Sequence, residues 1–237
     1  MKKLTHLLSL GILAALPALV SAQSVWTNAG GDFSFSNPAN WSGNTVPVDG
    51  ADLSIATDDL LGLDNGGNFA ANRLAIEAGY TGLFMPAGAE TLSVGAGGIA
   101  NLGLGADFQL TLLAVSTQTW EIGAGTFTLG NTLDVTAGTA LTINVGSGAT
   151  FLFAMGTLNP DWNGTINFTG AVNAATLRVT GSGFTEQNLS RITIDGLQAQ
   201  LIGDQLGTAA AIPEPSTYAM LFGAAVLAAA IWRRRRA

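Results

Sequence analysis

The sequence predicts an all-β fold, and within that class a short parallel β-solenoid (β-helix) with a cap at its N-terminal end. Three observations support this prediction: short bursts of alternating apolar and polar residues, glycine-rich turns between the bursts, and almost no helical periodicity. A β-sandwich is the alternative, because it is also built from alternating strands. Apolar runs at the two chain ends predict an N-terminal signal helix and a C-terminal transmembrane helix in addition.

Residues 1–22 have the pattern of a secretory signal peptide. Two lysines follow Met1, residues 7–20 are apolar, and small residues come directly before Gln23. We therefore expect signal peptidase to cleave between Ala22 and Gln23, so that the remainder of the chain works outside the cytoplasm.

Residues 23–56 are less regular and are predicted to cap the first turn of the solenoid. A solenoid needs its apolar end covered, and Trp26 and Trp41 are expected to pack there. The alternative is that these two rings form a platform for sugars, because tryptophan offers a flat apolar face. The segment resembles the start of many secreted bacterial β-helix proteins, in which an Asn-Trp pair and a later proline precede the first regular turn.

Residues 57–183 are predicted to form the solenoid itself. The alternating bursts are short, as in Leu141, Ile143 and Val145, and the turns between them are nearly uniform. Glycine-rich segments predict such turns at residues 95–98, 123–125, 137–139 and 146–148. Short strands and uniform turns favour a solenoid over a sandwich, although no fixed repeat period is visible.

The stretch 116–153 adds a resemblance to this pattern. A Gln-Thr-Trp strand leads into a Gly-Ala-Gly turn and a Leu-Thr-Ile strand, and this order resembles the passenger repeats of autotransporter-type β-helices. The resemblance implies a solenoid body and carries no active site with it.

Residues 184–207 are predicted to close the C-terminal end of the solenoid. Thr185 is placed to cap one helical turn that ends at Leu189. A strand at residues 191–194 follows, and Asp195-Gly196 is the sequence of a tight hairpin turn.

Residues 208–237 combine a linker with an apolar span and a basic end. The fifteen residues from Tyr218 to Trp232 are uncharged, and aromatic rings at both borders favour the membrane interface. The four arginines that follow predict a cytoplasmic end by the positive-inside rule. They are Arg233, Arg234, Arg235 and Arg236.

The order of these features resembles the PEP-CTERM sorting signal of Gram-negative bacteria. Pro213, Glu214 and Pro215 precede the apolar span and the arginine cluster. The resemblance implies recognition by an exosortase, a membrane enzyme that cuts near the motif, and a link to surface exopolysaccharide. The tail is therefore expected to hold the chain in the inner membrane transiently, and the simpler alternative is a permanent tail anchor.

Composition narrows the chemistry that the exported body can carry. The chain has no cysteine, and its one histidine, His6, lies in the predicted signal peptide. Thiol chemistry and histidine- or cysteine-ligated zinc are thereby excluded from the exported part, and a nucleophilic triad has no base there. No catalytic residue, metal site or cofactor is predicted.

Carboxylates are the remaining catalytic candidates. Two acids can hydrolyse a glycosidic bond, and the densest acidic group is Asp49, Asp52, Asp58, Asp59 and Asp64. Neighbouring acids face opposite sides of a strand, so spacing places no two of them together. Surface and turn positions are expected for these acids, with catalysis and calcium binding as alternatives.

Residues 23–212 contain three arginines and fifteen acids, a formal charge of −12. Nucleic-acid binding is not expected of such a body, because it repels phosphate groups. The sequence predicts a non-enzymatic structural protein of the cell surface or extracellular matrix, associated with exopolysaccharide or biofilm. A carbohydrate-binding module with exposed tryptophans and a polysaccharide-degrading β-helix enzyme are the two alternatives.

Overall fold

The computed structural model describes residues 23–57, 60–64, 68–154, 162–173, 176–180 and 184–208. Within these ranges nearly all regular structure is β-strand. The exceptions are two single 3₁₀ turns at Pro38–Asn40 and Ser42–Asn44 and one short helix, α1 (Glu186–Leu189). The predicted signal helix and the predicted span at residues 218–232 lie outside these ranges. None of the helices that the described ranges contain is long and apolar enough to cross a membrane.

The strands of the described ranges, in chain order, are β1 (Ser24–Trp26), β2 (Ala51–Ile55), β3 (Leu61–Leu63), β4 (Phe69–Ile76), β5 (Leu83–Pro86), β6 (Thr91–Asn101), β7 (Gly105–Phe108), β8 (Thr111–Ala114), β9 (Gln118–Ile122), β10 (Gly125–Leu129), β11 (Leu133–Val135), β12 (Ala140–Val145), β13 (Ala149–Phe153), β14 (Thr165–Gly170), β15 (Leu177–Val179), β16 (Ile192–Ile194), β17 (Leu197–Ile202) and β18 (Gln205–Thr208).

These strands wind into a parallel β-solenoid of about six turns. Successive turns stack through parallel pairing on two faces, here called sheet A and sheet B. Sheet A runs from β1 through β2, β4 and β6 to β8 and β9, then to β11 and β12, and ends with β14 and β16. Sheet B runs through β3, β5, β7, β10, β13 and β15. The parallel pairing establishes the solenoid and rules out the sandwich, whose sheets are antiparallel.

One column of sheet A shows why no fixed repeat period is visible in the sequence. The residues that stack in this column are Leu53, Leu74, Ile99, Trp120, Ile143, Phe168 and Ile194. Consecutive members are separated by between 21 and 26 residues, because the loops between strands differ in length from turn to turn. The pairing register is nevertheless regular, since each member is buried.

Phenylalanines fill the interior behind sheet B. The rings of Phe84 and Phe108 stack with centroids 4.3 Å apart, and those of Phe127 and Phe151 stack at 5.2 Å. All four side chains are buried. Each buried ring of this size contributes roughly 1.5–3 kcal/mol through removal of apolar surface from water. The core therefore extends along the solenoid axis and needs no disulfide.

The prediction of a turn at residues 95–98 is wrong. Strand β6 continues through this segment, with a register shift where it pairs with β4 between Ala71 and Arg73. Gly98 has a φ of +64°, a value that favours glycine, and it belongs to the bulge. The other predicted glycine-rich turns do lie at the ends of strands.

An antiparallel hairpin ends the described body. Thr185 caps α1 through its side chain, as predicted. Asp195 and Gly196 both have positive φ values, 49° and 78°, which is the backbone of the tight turn that the Asp-Gly pair predicts. Strand β17 then pairs antiparallel with β16 and with β18. The parallel stacking of sheet A is thereby terminated.

Candidate functional site

Trp26 and Trp41 are buried. Their exposed fractions are 0% and 1%, and their rings meet edge to face at a centroid distance of 5.1 Å. The indole Nε1 of Trp41 donates a hydrogen bond to the carbonyl oxygen of Phe35. A sugar platform needs an exposed ring face, and neither residue offers one. In this structure both tryptophans pack the first turn of the solenoid, and Trp120 and Trp162 are equally buried.

The described members of the acidic group have structural roles. A carboxylate oxygen of Asp49 accepts a hydrogen bond from the backbone N–H of Ala70, and one of Asp52 accepts from the side-chain amide of Asn72. Asp58 and Asp59 lie outside the described residues. In the part of the chain that the structure describes, no three acidic or histidine side chains come together so that they could hold a metal ion.

Asp64 fixes the loop between β1 and β2 to the second turn. Its carboxylate accepts hydrogen bonds from the hydroxyls of Ser34 and Ser36 and from the backbone N–H of Ser36. Partial burial acts to raise the pKa of Asp64, but the hydrogen bonds from the two serines outweigh burial and hold the pKa below its usual value. This carboxylate therefore stays ionised, which suits a clamp and not a general acid.

An open groove lies on the outer face of sheet A. Its volume is about 410 Å³. We call it the sheet A groove; its lining residues are Arg73, Ala96, Gly97, Ile99, Ala100, Thr117, Gln118, Thr119, Glu121 and Thr142. The sequence predicts none of these residues as part of a functional site. The available signals are the small residues at 95–98, which also fit a turn, and the outward positions of the strand at 118–122.

The groove exists because β6 carries only small side chains on this face. Arg73 of β4 pairs with Gly98 on one side of β6, and Ala100 pairs with Glu121 of β9 on the other. The strands on either side are about two strand spacings, or ~10 Å, apart. Their longer side chains form the walls, and the glycine and alanine residues of β6 form the floor.

Neither Gly97 nor Gly98 in the floor can carry a side chain without a shift of the neighbouring atoms. A Cβ atom at Gly97 would lie 2.6 Å from the Cβ of Arg73, and one at Gly98 would lie 2.0 Å from the carbonyl oxygen of Thr119. The depression is therefore built into the packing of these three strands.

The walls carry hydrogen-bonding groups of both kinds. The side chains of Arg73, Thr119 and Glu121 are exposed, and that of Thr142 is half-buried. The Oε2 atom of Glu121 accepts a hydrogen bond of 2.7 Å from the side-chain amide of Asn144, which orients the carboxylate. Among the ion pairs found within the described ranges, none involves Arg73. The groove thus presents a guanidinium and a carboxylate on opposite sides of a small-residue floor.

The sorting motif follows directly after the described body. Strand β18 ends at Thr208, and Pro213 comes five residues later. An extended chain of this length reaches about 18 Å at most. The hairpin β17–β18 is the last element of the described body before the motif in sequence, and it carries the exposed side chains of Leu197, Leu201 and Ile202.

Comparison with known families identifies the tail. A family model described as the PEP-CTERM protein-sorting motif matches residues 211–236. The matched range includes Pro213–Pro215, the borders Tyr218 and Trp232, and the four arginines. No curated protein and no solved structure matches the chain.

This motif is the recognised substrate signal of exosortase-type sorting enzymes, and it implies an exported protein that is sorted to the cell surface. The solenoid arrangement independently supports the β-helix body that the sequence predicts. The chain therefore carries a PEP-CTERM protein-sorting motif, at residues 211–236, behind a β-solenoid body.

Proposed function

We propose that this protein is a non-enzymatic structural component of the bacterial surface or extracellular matrix, associated with exopolysaccharide. The observation that carries the proposal is the arrangement of the chain: a sorting motif that starts within a few residues of a solenoid body. A solenoid buries a continuous core and exposes long polar faces, which is a suitable form for an extended surface protein.

The tail would act in two steps. Residues 218–232 would first hold the chain in the inner membrane, with the four arginines in the cytoplasm and the body outside. An exosortase would then cut near Pro213–Pro215, and the body would leave the membrane. The predicted signal peptide, cleaved by signal peptidase between Ala22 and Gln23, would deliver the chain to this position.

The groove supports a structural or binding role over a catalytic one. Glycoside hydrolysis ordinarily requires two carboxylates, and Glu121 is the one carboxylate among the residues that line the sheet A groove. The charged group across the floor from Glu121 is the guanidinium of Arg73, which cannot serve as the second carboxylate. Carbohydrate binding at this groove is the second candidate function. It takes the place of the hypothesis that exposed tryptophans bind sugars.

Mass spectrometry of the surface-displayed protein tests the sorting step. We expect a mature chain that begins at Gln23, ends near the Pro-Glu-Pro motif and lacks Arg236. Recovery of intact Arg236 on the surface form would contradict cleavage and favour a permanent anchor. A variant with Pro213, Glu214 and Pro215 all changed to alanine serves as the control, and it should keep its tail.

Co-sedimentation with exopolysaccharide purified from the producing strain tests the association. We expect the protein to sediment with the polysaccharide, and to appear in the medium when the strain lacks that polymer. The proposal would be contradicted if the protein stays in the supernatant when the polysaccharide is present, and if its release into the medium does not increase when the strain lacks that polymer.

A further inference from the structure

The sheet A groove is the part of the described surface whose shape and chemistry together point to a ligand. Its lining offers hydroxyl, guanidinium and carboxylate groups, whereas the side chains of Ile99 and Gln118 are buried. The amide of Gln118 already bonds to the carbonyls of Val94 and Ser116 and to the indole of Trp120. Apolar small molecules bind mainly to hydrophobic and aromatic surfaces, so this groove does not suit them. A ligand that fits must itself carry many donors and acceptors.

Three classes of macromolecule are disfavoured by the surroundings of the groove. An extended peptide would need a free strand edge, but β6 is paired on both sides, with β4 and with β8 and β9. Phosphate-bearing polymers meet a body with three arginines and fifteen acids. The same charge disfavours polymers that carry a carboxylate on every unit.

We propose that the sheet A groove binds a neutral polysaccharide chain. This inference rests on the proposed association with exopolysaccharide and assigns it to a site. The guanidinium of Arg73 would donate hydrogen bonds to sugar hydroxyls, and the carboxylate of Glu121 would accept them from the opposite wall. Thr119 lies on the same strand as Glu121, and Thr142 of β12 pairs with Thr119 in register, so both would supply hydroxyl groups on the wall that carries Glu121.

The outward face beyond the groove extends this surface along the solenoid axis. Thr142 pairs in register with Asn167 of β14, and Asn167 with Thr193 of β16. The hydroxyl of Thr193 donates to the side-chain oxygen of Asn167 at 2.7 Å, so the polar row continues in an ordered form. A long glycan would therefore contact more turns than a short one.

Calorimetric titration of the full chain in detergent micelles tests the assignment. The probes are cellohexaose, chitohexaose and hexagalacturonate, together with cellobiose and chitobiose as short controls. We expect one of the two uncharged hexasaccharides to bind, more tightly than its disaccharide, and hexagalacturonate to bind more weakly. Binding of hexagalacturonate alone would overturn the neutral class of ligand.

Variants of the groove locate the site. Arg73→Gln and Glu121→Gln should each weaken binding about ten-fold, since hydrogen bonds to charged groups are stronger than those between neutral groups. Ala100→Trp should abolish binding by filling the floor. The matched controls are Arg178→Gln and Thr128→Trp on sheet B and Glu186→Gln on α1, and they should bind as the unchanged protein does.

The failures can be told apart. If Arg73→Gln and Glu121→Gln both bind the glycan as tightly as the unchanged protein does, the groove assignment is overturned. The association with polysaccharide would still stand in that case. If none of the three hexasaccharides binds and the strain's own exopolysaccharide does not bind either, two proposals fail together. They are the groove assignment and the proposed association with exopolysaccharide. Circular dichroism establishes that each variant is folded, and the two glutamine variants decide the outcome if Ala100→Trp does not fold.

Discussion

Gly98 lies directly against the backbone of Thr119. A Cβ atom at Gly98 would be 2.0 Å from the carbonyl oxygen of Thr119, and the φ of Gly98 is +64°. Gly98 is therefore under a steric constraint and a conformational constraint at once. It lies in the bulge of β6 that forms the floor of the sheet A groove.

Replacement of this glycine tests the bulge. Gly98→Ala forces either β6 or β9 to move, and we expect it to lower the free energy of unfolding by about 2–4 kcal/mol. Gly138→Ala is the matched control, because Gly138 also has a positive φ, +77°, but a Cβ atom added there would meet nothing within 4 Å. It should cost only about 1 kcal/mol, the penalty of the left-handed backbone alone. Urea denaturation measures the free energy of unfolding of both variants. Equal losses for Gly98→Ala and Gly138→Ala would show that the contact with Thr119 does not contribute to the effect.

Phe127 tests the aromatic core. Its ring lies between Phe108, at a centroid distance of 5.0 Å, and Phe151, at 5.2 Å, and its side chain is fully buried. Phe127→Ala would leave a cavity in the middle of this stack and should lower the free energy of unfolding by about 3–5 kcal/mol. Leu104→Ala is the control, since Leu104 is 61% exposed, and its effect should stay within ~0.5 kcal/mol. A small loss for Phe127→Ala would indicate that the stack is not formed.

The clamp at Asp64 predicts a dependence of stability on pH. The pKa of Asp64 in the folded protein lies below its usual value, which is about 3.9 in an unfolded chain. The stabilisation is therefore fully present above the unfolded pKa and is lost as the pH falls through the folded one. We expect the unchanged protein to lose stability as the pH falls below about 4. Asp64→Asn should lose less stability over the same pH range.

Ser34→Ala is the companion variant for this clamp. It removes one donor to the Asp64 carboxylate and should raise the pKa of that group, so the pH dependence should shrink without disappearing. Thermal unfolding between about pH 2 and pH 7 provides the measurement. Identical pH profiles for the unchanged protein and both variants would show that this carboxylate does not couple to folding.

Much of the fold is predictable because alternation and turn chemistry are local signals. Leu141, Ile143 and Val145 alternate in the sequence and stack in the core, and Asp195-Gly196 forms the turn that its residues favour. The bulge at Gly98 is not predictable in this way, because glycine marks both turns and bulges and only the pairing with neighbouring strands separates the two. Its consequence, the groove, depends on residues from four strands whose alignment has no fixed period.

The short distance between body and motif makes a prediction about sorting. Four residues, 209–212, separate Thr208 from Pro213, so the five steps between the two can span about 18 Å at most. In the proposed sorting step, an exosortase that cuts near Pro213–Pro215 would have to reach the motif beside the hairpin β17–β18. Deletion of residues 209–212 would leave the motif about 4 Å from the end of β18, and should slow removal of the tail.

Replacement of residues 209–212 by Gly-Ser-Gly-Ser is the control for this deletion, because it keeps the length of the spacer and changes only its side chains. The rate of tail removal should then stay as it is in the unchanged protein. Pulse-chase labelling of cells measures the conversion of the longer chain to the shorter one. An unchanged rate in the deletion variant would show that the enzyme reaches the motif without needing this spacer.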